Sequence, residues 1–383
     1  MTFVFSADAH VMEPKDIFEK GLPESLKKYG IRSERQGDHI CTLAGEKVLH
    51  RTRIIKRDNA PPPNEESRGV ALGKGEDVVR LHAVAKGQID IAGRLEDMAL
   101  DGVDAEIPFP STSLYTYGIE HEETELATAQ IYNEWNNQHF TGHLDKFVRC
   151  GVLPVRNFTN TLAEMKRLAK LGFTAAMLPC VTAPGMPRYN DESWDPVFEL
   201  GGELGLVFVM HTGTGLETVQ PERRAGGAVI NYTNQACDAW NAVQYLVAGG
   251  VLDRHPKAQV AFIESGASWL AGLVERMDEI YVAHSAYVRP KLSLMPSEIV
   301  TRQVSVGFQS DRACIMSRSV TGVRPLMWGS DYPHAEGTFP RSKEVIARLF
   351  DGIEISEQDR ADILGGNAAR LFRLPRPEFQ AAA

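Results

Sequence analysis

Short apolar runs recur along the chain, each ending in a polar or charged residue. Phe3-Val-Phe-Ser-Ala-Asp-Ala-His10, Gly205-Leu-Val-Phe-Val-Met-His211, Val260-Ala-Phe-Ile-Glu264 and Leu326-Met-Trp-Gly-Ser-Asp331 are the clearest. Runs of this length, bounded by turn residues, read as buried strands. Between them lie stretches with helical spacing. Arg94–Leu100 is one, with Gly102 as its stop, and 122–142 is the longest, with Leu126, Ile131, Trp135 and His139 on one face. In all, strands are expected at 3–7, 104–108, 147–153, 174–178, 206–210, 259–263, 303–308 and 326–328. Helices are expected at 161–171, 194–204, 233–248, 267–281, 342–350 and 356–364.

About eight strands alternating with helices predict an α/β fold of the (β/α)8, TIM-like kind. The rival is an open doubly wound sheet. That fold usually carries a glycine-rich phosphate turn after strand one, where this chain has Asp-Ala-His. Residues 30–85 do not fit a β/α unit. They contain a hairpin pattern around Gly45 and the stiff Pro61-Pro62-Pro63 run. We read them as an insertion covering the barrel mouth, a lid or dimer arm, within a single domain spanning 1–383.

Composition narrows the classes. With 383 residues, 43% hydrophobic, the chain can bury a large core. A net charge of −9 argues against a nucleic-acid surface. The basic stretch His50, Arg51, Arg53, Lys56 and Arg57 is the exception. It could hold an anionic group, although a solvated edge strand is the plainer reading. Five cysteines, at 41, 150, 180, 237 and 314, form no CxxC pair and suit reduced thiols. No apolar run reaches membrane-spanning length and no leader pattern opens the chain, so a cytoplasmic protein is expected, with no membrane partner.

The strand-end residues carry the candidate chemistry. Asp8 and His10 stand two apart, which places them on one face of a strand. A carboxylate and an imidazole together suit Zn²⁺, Fe²⁺ or Mn²⁺. His211 precedes Thr-Gly-Thr-Gly215, Asp331 precedes Tyr-Pro-His334, and Glu264 precedes Ser-Gly. Each has an ordinary structural reading when taken alone: a cap, a core histidine, an Asx turn. In a parallel barrel their strand ends open on one face, and together they become a metal shell. Trp269, Tyr115, Tyr117, His82 and His284 are candidates for the pocket wall, with core or rim packing the plainer reading for each. There is no GxSxG elbow and no Walker loop.

Taken together, these segments resemble the amidohydrolase superfamily, in the branch of aminocarboxymuconate semialdehyde decarboxylase. The residues that carry the likeness are Ser6–Pro14, Arg94–Asp104, Ile131–Trp135, Val209–Gly213, Arg254–Lys257 leading to Glu264-Ser-Gly, Trp328–His334 and Gly366–Leu371. The resemblance implies a barrel with a catalytic metal held by Asp8, His10, His211 and Asp331. Decarboxylases of the branch commonly carry a histidine at the sixth strand, where this chain has Glu264.

That departure leads to a first expectation of metal-dependent hydrolysis of an amide, ester or thioester. Zinc is the foremost metal, with iron or manganese as alternatives, as one ion or two with Glu264 as a further ligand. Asp331 or Glu264 would act as base and His334 would support the oxyanion. Trp269, Arg51, Arg53 and Tyr115 would contact a small-molecule substrate, the basic stretch holding an anionic tail such as a coenzyme A phosphate. Decarboxylation of a small unsaturated or aromatic acid is the alternative, and a non-catalytic binding barrel is a third reading. A homodimer is expected by analogy with the family.

Overall fold

The computed structural model describes residues 2–53, 86–214, 226–334 and 336–376. Lys56, Arg57, the triple proline, His82 and the Arg53 side chain lie outside the described residues. In chain order the strands are β1 (Phe5–Val11), β2 (Ile31–Gln36), β3 (His39–Ala44), β4 (Lys47–Arg53), β5 (Ala105–Pro110), β6 (Cys150–Val152), β7 (Ala175–Pro179), β8 (Val207–His211), β9 (Gln259–Ile263), β10 (Val304–Phe308) and β11 (Leu326–Trp328). β1 and β5 to β11 are parallel and almost wholly buried. That is why they read as continuous apolar runs rather than alternating ones.

These eight strands form a TIM-like arrangement whose hydrogen-bonded ladder is interrupted. β6 to β11 make one six-stranded sheet in sequence order, and β1 pairs with β5. Each of the two seams is crossed by an isolated parallel bridge, Glu106 to Phe147 and Ala9 to Tyr332. At the second seam the Asp331 N–H donates to the Asp8 carbonyl at 2.8 Å. Gly329 allows this approach, because a Cβ there would lie 2.5 Å from the Cβ of Asp8.

Helices fill the connections as the spacing predicts, with shifted ends. The Ile91–Asp101 helix begins at Asp90, whose carboxylate accepts the Gly93 N–H, and ends at Gly102 with φ 79°. The Gly227–Ala248 helix starts six residues before the expected 233. The last expected helix is split by a π-helical turn over Asp362–Gly366.

Two further boundaries differ in ways that matter. β1 runs to Val11, so Asp8 and His10 lie inside the strand rather than beyond it. The described part of the insertion is a three-stranded antiparallel sheet, not a lone hairpin, because Ile31–Gln36 pairs with β3. Only Ile31 of that strand is buried, so it offers no alternation to read. The sheet packs through Ile31, Ala44 and Leu49 with Phe18, Leu22 and Ile119.

Candidate metal centre

At the C-terminal ends of β1, β8, β9 and β11 the sequence-separated polar residues meet. His10 Nε2 lies 3.2 Å from His211 Nε2. Asp8 Oδ1 lies 3.7 Å from His10 Nε2 and 3.6 Å from His211 Nε2. Glu264 Oε2 is 3.5 Å from His211 Nε2, and Asp331 Oδ1 is 3.6 Å from His10 Nε2. His334 Nδ1 is 2.8 Å from Asp331 Oδ1, and its ring lies against that of His10 with centroids 4.1 Å apart. The structure thus brings together Asp8, His10, His211, Glu264, Asp331 and His334.

Local chain geometry aims these groups. Glu264 and Asp331 both have left-handed backbones, with φ of 59° and 55°. For a residue with a side chain this costs about 1–3 kcal/mol, and such strain concentrates at functional sites. Each bends the chain as it leaves its strand. The Asp331 side chain is fully buried, whereas that of Glu264 is 14% exposed and that of His334 36%. Solvent therefore reaches the centre on the Glu264 and His334 side.

The hydrogen bonds behind the cluster suit a cation. His10 Nδ1 lies 3.2 Å from the Pro110 carbonyl, and His211 Nδ1 lies 2.8 Å from the Thr212 carbonyl. A carbonyl can only accept, so each Nδ1 carries the proton and each Nε2 presents a lone pair. Two lone pairs 3.2 Å apart repel unless a positive charge lies between them. Asp8 Oδ1 and Asp331 Oδ2 are buried with no hydrogen-bond partner, which is costly unless an ion satisfies them. His10, Glu264, Asp331 and His334 form one potential ligand group, and Asp8, His10 and His211 another. His10 has only one free ring nitrogen, so the two groups overlap on a single position.

Charge and burial perturb every member of the site that titrates abnormally. Burial drives His10 well below the ordinary histidine range, reinforced by His334 and His211. Burial opposes the charge on His211 too, but the neighbouring Asp8 and Glu264 carboxylates raise it overall. Burial pushes Asp331 well up, with the Asp8 carboxylate adding to it. Glu264 is pushed well up by burial and then by Asp331. A cation at the centre would reverse this and favour the ionised carboxylates.

Other expected site residues fall elsewhere. Trp269 lies just beyond Glu264, and its indole N–H donates to the Ser265 and Gly266 carbonyls, each at 3.0 Å. Tyr115 belongs to the satellite cluster under the small sheet and faces the His50 ring at 6.0 Å. Arg51 is exposed on β4. Tyr117 is core, its hydroxyl donating to the Met177 carbonyl, and His284 is exposed.

Two residues near the centre were not anticipated. Phe109, near the end of β5, packs edge-on against His211 at 5.2 Å and His10 at 6.2 Å. Arg94, buried beneath β1, donates to the His10 carbonyl at 2.6 Å and to Glu106 at 2.5 Å, and covers the Tyr332 ring at 4.2 Å. Its readable signal was an arginine on the apolar face of a helix.

Comparison with known proteins decides the family. The amidohydrolase family model matches residues 78–374. The chain belongs to the amidohydrolase family. Within it, the relationship runs to the branch of aminocarboxymuconate semialdehyde decarboxylase. The 2-amino-3-carboxymuconate-6-semialdehyde decarboxylase of Dictyostelium discoideum is 24% identical over 291 residues, covering 73% of this chain and 76% of that one. An amidohydrolase from Mycobacterium avium subsp. paratuberculosis K-10 shares the fold with a TM-score of 0.78 at 20% identity, covering 97% and 99% of the two chains. A dihydroxybenzoic acid decarboxylase from Polaromonas sp. JS666, with bound manganese and the inhibitor 2-nitroresorcinol, aligns over 100% of both chains with a TM-score of 0.64 at 16% identity.

These relationships correct the first functional expectation. Hydrolysis of an amide, ester or thioester rested on Glu264 acting as a base beside the metal. The named relatives include decarboxylases instead. The thioesterase reading and its coenzyme A tail fall with it. Among the described residues no helix is long and apolar enough to cross a membrane.

Proposed function

We propose that this amidohydrolase-family enzyme is a divalent-metal-dependent decarboxylase of a small unsaturated or aromatic carboxylic acid. The observation that carries the reading is the Asp331–His334 pair at the rim of a six-residue centre, on a fold whose named relatives include decarboxylases.

Asp8, His10 and His211 would hold one ion, with Glu264 and Asp331 able to complete its shell. When bound, a divalent cation anchors the substrate's oxygen atoms and draws electron density from them. Manganese is the first metal to test, because a neighbour of the same fold is seen with it. Zinc and iron suit the same donors.

Decarboxylation breaks one carbon–carbon bond and forms one carbon–hydrogen bond. The carbon that loses the carboxylate must receive a proton, and carbon dioxide leaves without the bonding electron pair. Asp331 suits the role of proton donor: it is wholly buried and its carboxyl meets the solvent-reaching His334. His334 Nδ1 meets Asp331 Oδ1 while the ring reaches solvent, so it can resupply the proton after each turnover. Phe109, fully buried, packs edge-on against the two histidines and fixes their rings. Glu264 stands at the sixth-strand position where the family resemblance implies a histidine in decarboxylases of the branch. We assign it to orientation of the ion and the substrate.

The test is to strip the protein of metal, reload it with Mn²⁺, Zn²⁺ or Fe²⁺, and incubate it with hydroxybenzoates and unsaturated dicarboxylic acids. Metal-dependent carbon dioxide release, abolished by His211→Ala, is expected. Absence of release across the panel with every metal, or release that is the same without metal, would overturn the reading.

A further inference from the structure

We propose that Asp311 and Trp269 are positioning residues that hold the left-handed turn presenting Glu264 to the metal centre. The inference rests on the metal-centre reading above and adds two residues to it.

Residues 264–268 form a turn with one side-chain bond of its own, from the Ser265 hydroxyl to the Gly266 carbonyl at 3.0 Å, and several from outside. Glu264 and Gly266 both have positive φ, 59° and 65°. A glutamate in this conformation relaxes to an ordinary one unless its neighbours fix the turn. The fixing comes from three sides. From β10's following loop, the Asp311 carboxylate accepts the N–H groups of Ala267 at 2.8 Å and Ser268 at 2.7 Å through a single oxygen. From the helix that follows, the Trp269 indole N–H returns to the carbonyls of Ser265 and Gly266. From β8's end, the Thr212 hydroxyl donates to the Glu264 carbonyl at 3.2 Å.

The three clamps differ in what else they do. Thr212 adjoins His211 and its carbonyl faces the His211 Nδ1, so it belongs to the ligand set's own scaffold. Asp311 and Trp269 belong to no ligand group. Asp311 also caps the short helix beginning at Arg312, through Cys314. The bare presence of a carboxylate at a helix start has a structural explanation. Its bonding to the turn on the neighbouring strand is what ties it to Glu264. Gly266 fits the same picture: a Cβ there would stand 3.4 Å from the Asp311 oxygen that the turn uses.

The experiment is a double-mutant cycle on Mn²⁺ affinity, read by direct titration of the metal-stripped full chain with Mn²⁺ and detection of free ion by electron paramagnetic resonance. Wild type, Asp311→Ala, Glu264→Ala and the double variant are compared, with thermal unfolding of each as the control for folding. Loss of an outer partner of a ligand typically weakens binding by about 10–100-fold. Asp311→Ala is expected to weaken Mn²⁺ within that range when Glu264 is present and to have no further effect when it is absent. Asp311→Asn, which keeps one carbonyl oxygen for the two N–H groups, recovers part of the loss. Trp269→Phe keeps the ring and removes only the N–H. It is expected to show the same dependence on Glu264 should Asp311→Ala fail to fold. An unchanged Mn²⁺ affinity in the Asp311 and Trp269 variants, or an equal fold-loss with and without Glu264, overturns the proposal. Failure of the decarboxylase reading would show differently, as Mn²⁺ binding by the wild type without carbon dioxide release.

Discussion

Arg94 offers the sharpest test of how the centre is supported. It is 2% exposed and lies beneath the His10 end of β1. Its guanidinium donates to Glu106 on β5, to the carbonyls of His10 and Gly87, and covers the ring of Tyr332. It thereby ties β1 and β5 to the segment after β11, across the seam where the ladder is reduced to one bridge. Arg94→Met keeps most of the volume but leaves Glu106 as an uncompensated buried carboxylate. Removing one partner of a buried pair costs about 3–5 kcal/mol, most of it the stranded charge. The lost bonds to carbonyls are part of the same rearrangement and are not added separately. At about 2.1 cal/mol/K per residue, unfolding 383 residues carries roughly 0.8 kcal/mol/K, so the melting temperature should fall by roughly 4–6 °C.

The sign with pH follows from Glu106. Burial already raises its pKa despite Arg94, and loss of Arg94 raises it further. A raised carboxyl binds its proton more tightly in the folded state, so folded stability is lost as pH rises through that range. The Arg94→Met deficit should therefore be larger at pH 8 than at pH 5, and Arg94→Met/Glu106→Gln should recover much of it. Urea unfolding at the two pH values measures this. A variant as stable as wild type at pH 8, or a double variant no better than the single one, would refute the buried-pair reasoning.

Two other predictions address separate parts of the molecule. Gly329→Ala forces a methyl group against Asp8, whose Cβ is 2.5 Å from the position it would occupy. It should cost about 1–3 kcal/mol by overpacking and weaken Mn²⁺ binding, whereas unchanged binding would show that β1 yields without moving Asp8. Burial pushes the Glu125 carboxyl up to about 7 even though it accepts the N–H groups of Val155 and Arg156. Its contribution makes stability fall as pH rises from about 4.5 to about 7, by at most about 3.4 kcal/mol at 1.36 kcal/mol per unit. Chemical unfolding across that interval should show a shallower slope in Glu125→Gln, and an identical slope would contradict the assignment.

Much of the fold can be read along the chain because the parallel strands are buried on both faces. Gln259–Ile263 and Leu326–Trp328 are continuous apolar segments with polar ends, and the structure keeps those bounds. Ile31–Gln36 is harder to read: its strand is held by backbone pairing with β3 while five of its six side chains are at least partly exposed. The site is legible as a set of strand-end residues, but its geometry is not. The left-handed turns at Glu264 and Asp331 depend on contacts from Asp311, Thr212 and Asp8, which lie far away in sequence. Phe109 reads as one more apolar strand residue until β5 is placed beside His211. Glu264 invites a hydrolytic reading because its type suggests a base; the relationship to decarboxylases is what corrects it.

The most direct test of the central claim is the fate of solvent in the reaction. With a substrate found by the carbon dioxide screen, the Mn²⁺-loaded enzyme is run in D₂O and the product examined by mass spectrometry and NMR. The account predicts one deuterium at the carbon that lost its carboxylate for each carbon dioxide released, and no solvent oxygen in the product. A product that gains oxygen from ¹⁸O-labelled water, with no carbon dioxide formed, would contradict it.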